Sequence, residues 1–480
     1  MPSCHRAAPN ANPAARPALE RLSEFVEAQR ARAEGAKNFE TFERDLRAVV
    51  MAVEQELVAE ELAKYDVNVP VVVIHGIAHR QVLRCEQTYV SAAGALRVMR
   101  SLYSVREGDA AACPMELGAG IVEGRWTPLA ARHATWVVAH LTPQDGENLF
   151  REIGGMTPSK SSLDRLPKAL SERWEAARPE LEQSLRDGET VPTGAVSVAV
   201  SLDGVMVPMK DGDRLDKREE ARLQGKQTKG PAGYSEAGCA TLSFHDKSGT
   251  RLSTIRMARM PQAKKRDLKE GLTQELHRVL QQRPNLTIVK VADGARDNWE
   301  YLSEMLPIGV EVVDFFHAAE HLRKALVEAY GETSKKGLAQ FERLRSVLLE
   351  DEDGVGKIIR ALRYLRDKHP RRKQIQAELT YFRRNCDRMR YAHVAALNLP
   401  IGSGVVEAAC KTLVTQRMKR SGMRWRHDGG QAILTFRSLL QSDRFDRAWP
   451  RLVASYKARV TTPENVVPLV RPGARSGVNA

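Results

Sequence analysis

The chain lacks the cysteine patterns of small zinc domains. Only six of its 480 residues are cysteine, and none stands in a C-x2-C pair, so the spacing supports neither a zinc ribbon nor a zinc finger. Sparse thiols without a pattern are typical of a reducing compartment. We therefore expect a cytoplasmic location.

Long apolar runs are missing as well. No stretch approaches the length of a membrane span, and no charged-then-apolar leader opens the chain, so we expect no membrane partner. The first residues, MPSCHRAAPNANPAARP, are typical of a flexible lead-in.

Positive charge is abundant and concentrated. The 74 basic and 60 acidic residues give a net charge of +14, which favours a polyanionic partner. Between Arg371 and Arg426 stand thirteen Lys or Arg residues and only three acids. A merely basic soluble protein is the alternative.

Four acidic residues occupy distinctive settings in the second half of the chain. Each Asp ends a short β-branched run, and the Glu stands early in a basic, apolar-periodic helix: Asp203 in VSVAVSLDG, Asp293 in LTIVKVADGARDNW, Asp314 in VEVVDFFHAAEHL and Glu407 in LPIGSGVVEAACKTLVTQRMKRSGMRW. Open α/β sheets bind ligands at the carboxyl ends of their strands. Carboxylates bind Mg²⁺, and a pair of ions stabilises both oxygens of a phosphodiester exchange. The pattern predicts a nuclease or strand-transfer enzyme acting on DNA.

Each setting also has a structural interpretation. Asp203-Gly204 is typical of a hairpin turn, and Asp293 could cap a helix, although Asp297 is the better candidate for that cap. Glu407 and Lys411, four residues apart on one helix face, could form a surface ion pair.

Histidines add a further alternative. His317 and His321 share a helix face after Asp314, which would suit a catalytic zinc, but no fourth ligand or general base is spaced nearby. We expect instead that His317 steadies a carboxylate or phosphate.

The predicted fold class is α/β: an RNase H-like mixed sheet interrupted by an all-helical insertion, after a mainly helical N-terminal DNA-binding region. LDGV and DKSG are predicted as hairpin turns, and Met209–Ala232 as a mobile loop. The predicted segments are a lead-in (1–18), a helical and small β region (19–135), a helix-turn-helix-like region (136–190), the catalytic domain (191–316 and 401–450), a helical insertion (317–400), and a C-terminal segment and tail (451–480).

The predicted helix-turn-helix lies in TPQDGENLFREIGGMTPSKSSLDRLPKALSERW. One helix is expected over 144–153 and another from about residue 161, separated by Gly154-Gly155. Recognition helices insert polar residues near their start into the major groove. The candidates are Ser159, Lys160, Ser161 and Arg165. An ordinary αα-hairpin is the alternative.

The segments SLDG, ADGARDNW, DFFHAAEHL and GSGVVEAACKTLVTQRMKRSGMRW resemble bacterial insertion-sequence transposases of the ISKra type, relatives of the Mutator-like DDE transposases. The resemblance runs from about Val196 to Arg437. It implies that Asp203, Asp293 and Glu407 form a metal-holding DDE triad. Asp314 and His317 would match the auxiliary C/D-x-x-H element.

The resemblance implies two Mg²⁺ or Mn²⁺ ions, double-stranded DNA partners (terminal inverted repeats and target DNA), a nucleoid-associated protein, and a homodimer or higher oligomer. Several residues of the basic segment are predicted to bind DNA, with Trp425 stacking on a base or packing in the core: Lys411, Arg417, Lys419, Arg420, Arg424, Trp425 and Arg426. The alternatives are an RNase H-like nuclease without strand transfer and a domesticated, non-catalytic DNA-binding protein.

Overall fold

The computed structural model describes residues 16–32, 34–36, 38–106, 110–210, 221–226 and 233–463. Most of the predicted lead-in, loop and tail lies outside these residues. The chain forms two compact units, Met1–Arg173 with Trp449–Ala480, and Trp174–Ala448. Residues after Trp449 thus belong to the same compact unit as the N-terminal part of the chain.

The described residues contain nine strands and many helices. The strands are β1 (Val71–Ile74), β2 (Ile77–Ser91), β3 (Gly94–Ser104), β4 (Ser197–Pro208), β5 (Tyr234–His245), β6 (Arg251–Arg259), β7 (Thr287–Ala292), β8 (Val310–Val313) and β9 (Val460–Thr461). The helices are α1 (Arg16–Arg30), α2 (Phe39–Ala63), α3 (Pro114–Ala119), α4 (Pro128–His140), α5 (Pro143–Ile153), α6 (Lys160–Ala176), α7 (Arg178–Asp187), α8 (Arg266–Gln282), α9 (Arg296–Glu304), α10 (Phe315–Tyr330), α11 (Lys335–Glu350), α12 (Gly354–Lys368), α13 (Lys373–Asn385), α14 (Tyr391–Ala396), α15 (Gly404–Ala409), α16 (His427–Gln441) and α17 (Phe445–Ala454). None of the helices in the described part of the chain is long and apolar enough to cross a membrane.

The first unit contains an antiparallel sheet in the order β3-β2-β1-β9. Its helices α5 and α6 are those predicted for the helix-turn-helix, and the break between them uses positive φ at Gly154 (74°) and Gly155 (89°). Glycine adopts such angles without a steric penalty. The four candidate recognition residues at the start of α6 are exposed: Ser159, Lys160, Ser161 and Arg165.

The second unit is built on a five-stranded mixed sheet in the order β6-β5-β4-β7-β8. The pairs β4–β5 and β5–β6 are antiparallel, whereas β4–β7 and β7–β8 are parallel. Residues 197–202 of β4 are buried on both faces, as expected for a central strand with covered faces.

One turn prediction is wrong and another is right. LDGV does not turn, because β4 continues to Pro208 and Asp203 pairs with Cys239 of β5 in an unbroken antiparallel register. Cross-strand pairing thus overrides the local turn preference of Asp-Gly. DKSG does turn between β5 and β6, where the Asp246 carboxylate accepts a hydrogen bond from Ser248 N at 2.8 Å.

The helices after β8 pack against the sheet rather than apart from it. Leu322 of α10 and Leu379 and Phe382 of α13 belong to the same buried core as Val289 and Val291 of β7. Full burial of each such side chain contributes about 1.5–3 kcal/mol. The predicted helical insertion is therefore helical, and its core is continuous with that of the sheet.

Candidate active site

Asp203 lies on the central strand where one neighbouring strand stops. The pairing of β4 with β7 ends at Ser201–Val291, so the Asp203 side chain lies beyond the last pair. Its Oδ1 accepts a hydrogen bond from Gly204 N at 2.7 Å, and its Oδ2 accepts one from Cys410 Sγ at 3.4 Å. The carboxylate is half-buried and keeps lone pairs for a ligand.

Asp293 follows the last residue of β7, as predicted. Its Oδ1 accepts hydrogen bonds from Ala295 N (3.1 Å) and Asn298 Nδ2 (3.2 Å). Buried Asn298 also donates to Leu202 O of β4 at 3.5 Å, so one amide links the two strands. The prediction that Asp297 caps the following helix is wrong, since α9 makes no side-chain cap bond and Asp293 accepts the Ala295 N–H.

Asp203 and Asp293 line one open cleft of about 380 Å³. That volume is within the range of ligand-binding pockets. Charged residues of both signs share its walls with them: Glu236, Lys264, Lys265, Lys269, Arg296 and Asp297. A cleft with central carboxylates and peripheral cations suits a metal-bound phosphate.

Two consecutive lysines at the edge of the cleft have left-handed backbone. Lys264 has φ 55° and Lys265 has φ 54°. This conformation costs about 1 kcal/mol or more per non-glycine residue, and it persists where surrounding structure holds it. Here Lys265 Nζ lies 3.3 Å from Glu236 Oε1, while Lys264 is exposed.

A second group of residues lies at the end of β8. Asp314 is fully buried and caps α10, with its Oδ1 accepting from His317 N at 2.7 Å. Its Oδ2 accepts from Ser403 N, and the Ser403 hydroxyl donates to Glu407 Oε1 at 2.8 Å. Ser403 thereby joins Asp314 to Glu407. Within the described part of the chain Glu407 pairs with Ser403 and not with Lys411, so the surface ion-pair alternative is wrong.

His317 lies among these carboxylates. Its Nδ1 is 3.3 Å from Asp314 Oδ1. The Asp314 carboxylate raises the pKa of His317 to about 9 against the opposing effect of burial, with further contributions from Glu407 and Asp293. Asp314 responds oppositely: although burial favours its neutral form, bonds from His317 and Ser403 hold its pKa below the usual range. The His317 ring therefore lies beside the Asp314 carboxylate, and its role there stays a prediction.

Ligand atoms of Asp314, His317 and Glu407 all lie within 4.8 Å of one another. No other group of three such residues in the described ranges is as close, so Asp203, Asp293 and Glu407 do not meet that limit together. Both Asp314 oxygens already accept hydrogen bonds, which makes Asp314 a poor ligand. The half-buried or exposed oxygens of Asp203, Asp293 and Glu407 fit hydrated Mg²⁺ or Mn²⁺ better.

His321 does not join the cluster, which disfavours the zinc alternative. Its Nδ1 is 2.5 Å from Glu378 Oε2, and its ring stacks on Tyr381 with centroids 3.7 Å apart. The Tyr381 ring in turn packs against Gly294, the residue after Asp293. Burial raises the pKa of Tyr381, and the nearby Asp293, Asp314 and Glu378 raise it further.

The helix that carries Glu407 changes pitch after one and a half turns. α15 continues into a π-helical segment, Cys410–Thr415, and a final turn, Gln416–Met418. π-helical turns are frequent at functional sites. Arg437 of α16 supports this one, donating to Leu413 O at 2.8 Å and to Thr412 O. Cys410, the first residue of this segment, lies next to Asp203.

The basic segment divides into exposed and buried members. Five predicted DNA-binding residues are exposed: Lys411, Lys419, Arg420, Arg424 and Arg426. Arg417 was expected on the same surface, but it is 2% exposed, and its guanidinium lies over the Trp425 ring at 5.3 Å. Arg417 is therefore not part of the exposed basic surface on which a phosphate could bind. Trp425 packs against the neighbouring core and donates Nε1–H to Met418 O at 2.9 Å, as its core-packing alternative requires.

Sequence reasoning missed the residues that position the carboxylates. Asn298, Ser403 and Cys410 each donate to one of them. Asn298 and Ser403 stand inside the segments ADGARDNW and GSGVVEAACK, so closeness to the acids was an available signal. Nothing local marks Tyr381, which comes from a helix far along the chain.

No protein-family model matches this chain, and no curated protein matches it either. Among solved structures, the chain is similar to the Drosophila P element transposase strand transfer complex, at 14% sequence identity and a TM-score of 0.25, covering 68% of this chain and 83% of that chain. A TM-score this low does not establish a shared fold. The function therefore has to be argued from the site.

Proposed function

We propose that the chain is the DDE transposase of an insertion sequence, of the ISKra type and related to Mutator-like transposases. It cleaves DNA at the ends of the element and joins those ends to target DNA. One observation carries the proposal. Asp203 and Asp293, on adjacent parallel strands of a β6-β5-β4-β7-β8 sheet, line a common cleft with several lysines. Three antiparallel strands followed by two helix-separated parallel strands support the RNase H-like proposal.

The metal-holding residues are Asp203, Asp293 and Glu407. Two ions about 4 Å apart can be shared by three carboxylates that do not all touch one another. Asp203, Asp293 and Glu407 would hold two Mg²⁺ or Mn²⁺ ions, which would supply activation of the attacking water or hydroxyl and stabilisation of the departing oxygen. Asn298 and Ser403 orient the Asp293 and Glu407 carboxylates for this role.

Both reactions replace one P–O bond of a phosphodiester by another: cleavage is a hydrolysis, and joining is a transesterification. In cleavage, water loses a proton and forms a new bond to phosphorus, and the P–O3′ bond breaks, leaving a 3′-hydroxyl and a 5′-phosphate. In joining, that 3′-hydroxyl loses its proton and attacks a target phosphodiester, whose own 3′-oxygen leaves with a proton. Neither step needs ATP. Lys264 and Lys269 line the cleft where a phosphate bound at the carboxylates would lie.

DNA outside the cleft would lie on the exposed basic residues after the π-helical turn, Lys419, Arg420, Arg424 and Arg426. The exposed start of α6 remains the candidate for recognition of the terminal repeats. A homodimer or higher oligomer would bring two element ends together, and a bacterial cytoplasm would supply the nucleoid as target.

The test uses purified full-length protein and DNA carrying the flanking ends of its own gene, with Mg²⁺ or Mn²⁺. Wild type is compared with Asp203→Asn, Asp293→Asn and Glu407→Gln for nicking, for joining and for DNA binding. We expect metal-dependent nicking and joining that all three substitutions abolish, with binding retained. Cleavage that survives the substitutions would exclude the triad.

The two alternatives give different results in the same assay. Nicking without joining, even when a free 3′-hydroxyl end is supplied, identifies a nuclease. Tight binding by wild type with no cleavage under either metal identifies a non-catalytic DNA-binding protein.

A further inference from the structure

Tyr381 has a hydroxyl with no hydrogen-bond partner in the described part of the chain. The oxygen is buried, and no polar atom of those residues lies within hydrogen-bonding distance and geometry. A buried polar group left unpaired is costly, and native proteins satisfy almost all of them. Such a group requires an explanation.

The ring of Tyr381 is held firmly. It stacks on His321 with an interplanar angle of 16°, and His321 is fixed by buried Glu378, which also accepts from Gln374. On its other side the ring packs against Gly294, where an added Cβ would collide with it. The position of the hydroxyl is thus determined by α10, α13 and the turn after Asp293.

The neighbours of this hydroxyl are the acidic groups of the site. Asp293, Asp314 and Glu378 all lie within electrostatic reach of the Tyr381 hydroxyl. Asp314 and Glu378 already accept hydrogen bonds from His317, Ser403, His321 and Gln374. Asp293 keeps oxygen capacity toward the cleft, since both of its described side-chain bonds go to Oδ1. A neutral tyrosine hydroxyl can both donate and accept a hydrogen bond, so its oxygen can accept one from a metal-bound water.

We infer that Tyr381 is a further positioning residue, whose hydroxyl oxygen accepts a hydrogen bond from a water ligand of the divalent ion at Asp293. This inference rests on the proposed function, because it needs an ion at that carboxylate. Mg²⁺ usually keeps several water ligands in protein sites, and hydrogen-bond acceptors around the ion orient those waters. The helical region between β8 and Glu407 then completes the site as well as covering the sheet.

The test uses one substitution, Tyr381→Phe, that should leave the metal-free protein as stable as before or more stable and should weaken its affinity for Mn²⁺. Tyr381→Phe keeps the stacked ring and removes only the hydroxyl. In EDTA the variant should melt at the same temperature as wild type or about 2 °C above it, because an unpaired buried group is removed. In a titration with Mn²⁺ alone, followed by the shift in melting temperature, the Mn²⁺ concentration for half the shift should rise about tenfold.

Tyr364→Phe is the matched control, since Tyr364 is a 63% exposed residue on α12. This variant should match the wild type both in its melting temperature in EDTA and in the Mn²⁺ concentration that gives half of the melting-temperature shift. A lower melting temperature for Tyr381→Phe in EDTA would mean that the hydroxyl has a partner within the fold, and would overturn the inference. So would a Mn²⁺ titration that superposes on wild type, or the absence of any Mn²⁺-induced shift in wild type.

A nicking assay on the same samples separates this inference from the proposed function. If wild type binds Mn²⁺ but does not cut DNA, the proposed function fails. The Mn²⁺ titration of Tyr381→Phe still decides the role of the hydroxyl in that case. If wild type both binds and cuts, Tyr381→Phe should cut about tenfold more slowly at limiting Mn²⁺.

Discussion

The two acidic groups of the site differ in how completely their oxygens are satisfied. Asp314 is fully buried, and both of its oxygens accept hydrogen bonds within the fold. Asp203 and Asp293 face an open cleft and keep unused lone pairs. All three aspartates follow or interrupt β-branched runs, so their sequences look alike. Two properties distinguish a carboxylate that stabilises the fold from one that is available to a metal: how deeply it is buried, and whether both of its oxygens already accept hydrogen bonds.

Glu407 is connected to Asp314 within the fold. It is exposed, yet Ser403 ties it to Asp314 through one main-chain and one side-chain hydrogen bond. Asp314, whose oxygens both accept hydrogen bonds, therefore helps to position Glu407, the third carboxylate of the proposed triad. Substitution of Asp203 or Asp293 tests the proposed metal-binding role, and substitution of Asp314 tests the stabilising role.

The largest effect on the nicking rate is expected from substitution of the two aspartates that line the open cleft. Asp203→Asn or Asp293→Asn should lower the nicking rate by on the order of 10³-fold or more, since a metal ligand is lost. In EDTA, each variant should melt at or above the wild-type temperature, because one of two neighbouring negative charges is removed. A fall in melting temperature without loss of nicking would reverse the assignment.

Asp314→Ala should act on stability instead. We expect the free energy of unfolding to fall by about 3 kcal/mol, since the variant loses a helix cap and leaves buried donors unpaired. Chemical denaturation in EDTA measures this. Asp297→Ala, an exposed first-turn residue of α9, is the control and should change stability by about 0.5 kcal/mol or less.

The His317–Asp314 pair predicts a pH dependence in metal-free protein. The folded-state pKa of His317 is about 9, above its ordinary value of 6.5, so its contribution is fully present below pH 6.5 and is lost as pH rises through about 9. Because the ring is 38% exposed, we expect only about 1 kcal/mol after allowance for solvent screening. Unfolding at pH 6 and pH 9.5 measures it. An equal loss in His317→Gln would contradict the assignment.

The smallest effects are expected on DNA affinity. Lys419→Ala and Arg420→Ala should each reduce the slope of log binding constant against log salt by about 1. Arg417→Ala should leave that slope unchanged and lower the melting temperature, because its guanidinium is buried over Trp425. If Lys419→Ala and Arg420→Ala have the same salt slope as the wild type, Lys419 and Arg420 do not contact phosphates.

Periodicity and strand composition were enough to predict most elements of both units, including α5, α6 and the mixed sheet. They failed where distant pairing or packing decides the outcome. Asp203-Gly204 has the composition of a turn, but pairing with Cys239 and Gly238 keeps it in a strand. Arg417 follows the charge pattern of a DNA-binding surface, but its side chain is buried, with its guanidinium over the Trp425 ring.

The same limit explains the site residues that were missed. The acids could be found because each ends or begins an element with a clear pattern. Tyr381 could not, because its place beside Asp293 depends on how α13 packs against α10, and on a stacking contact with His321. Single-sequence patterns carry no information about such packing.

Iron-directed cleavage of the protein tests the central claim most directly. Fe²⁺ would replace Mg²⁺ or Mn²⁺ in the cleft, and ascorbate with peroxide would then generate hydroxyl radicals that cut the nearby backbone. We predict cuts near residues 203, 293 and 407 that excess Mg²⁺ suppresses and that Asp203→Asn and Asp293→Asn weaken. Cuts elsewhere, or cuts at these segments that survive both substitutions and excess Mg²⁺, would contradict the account.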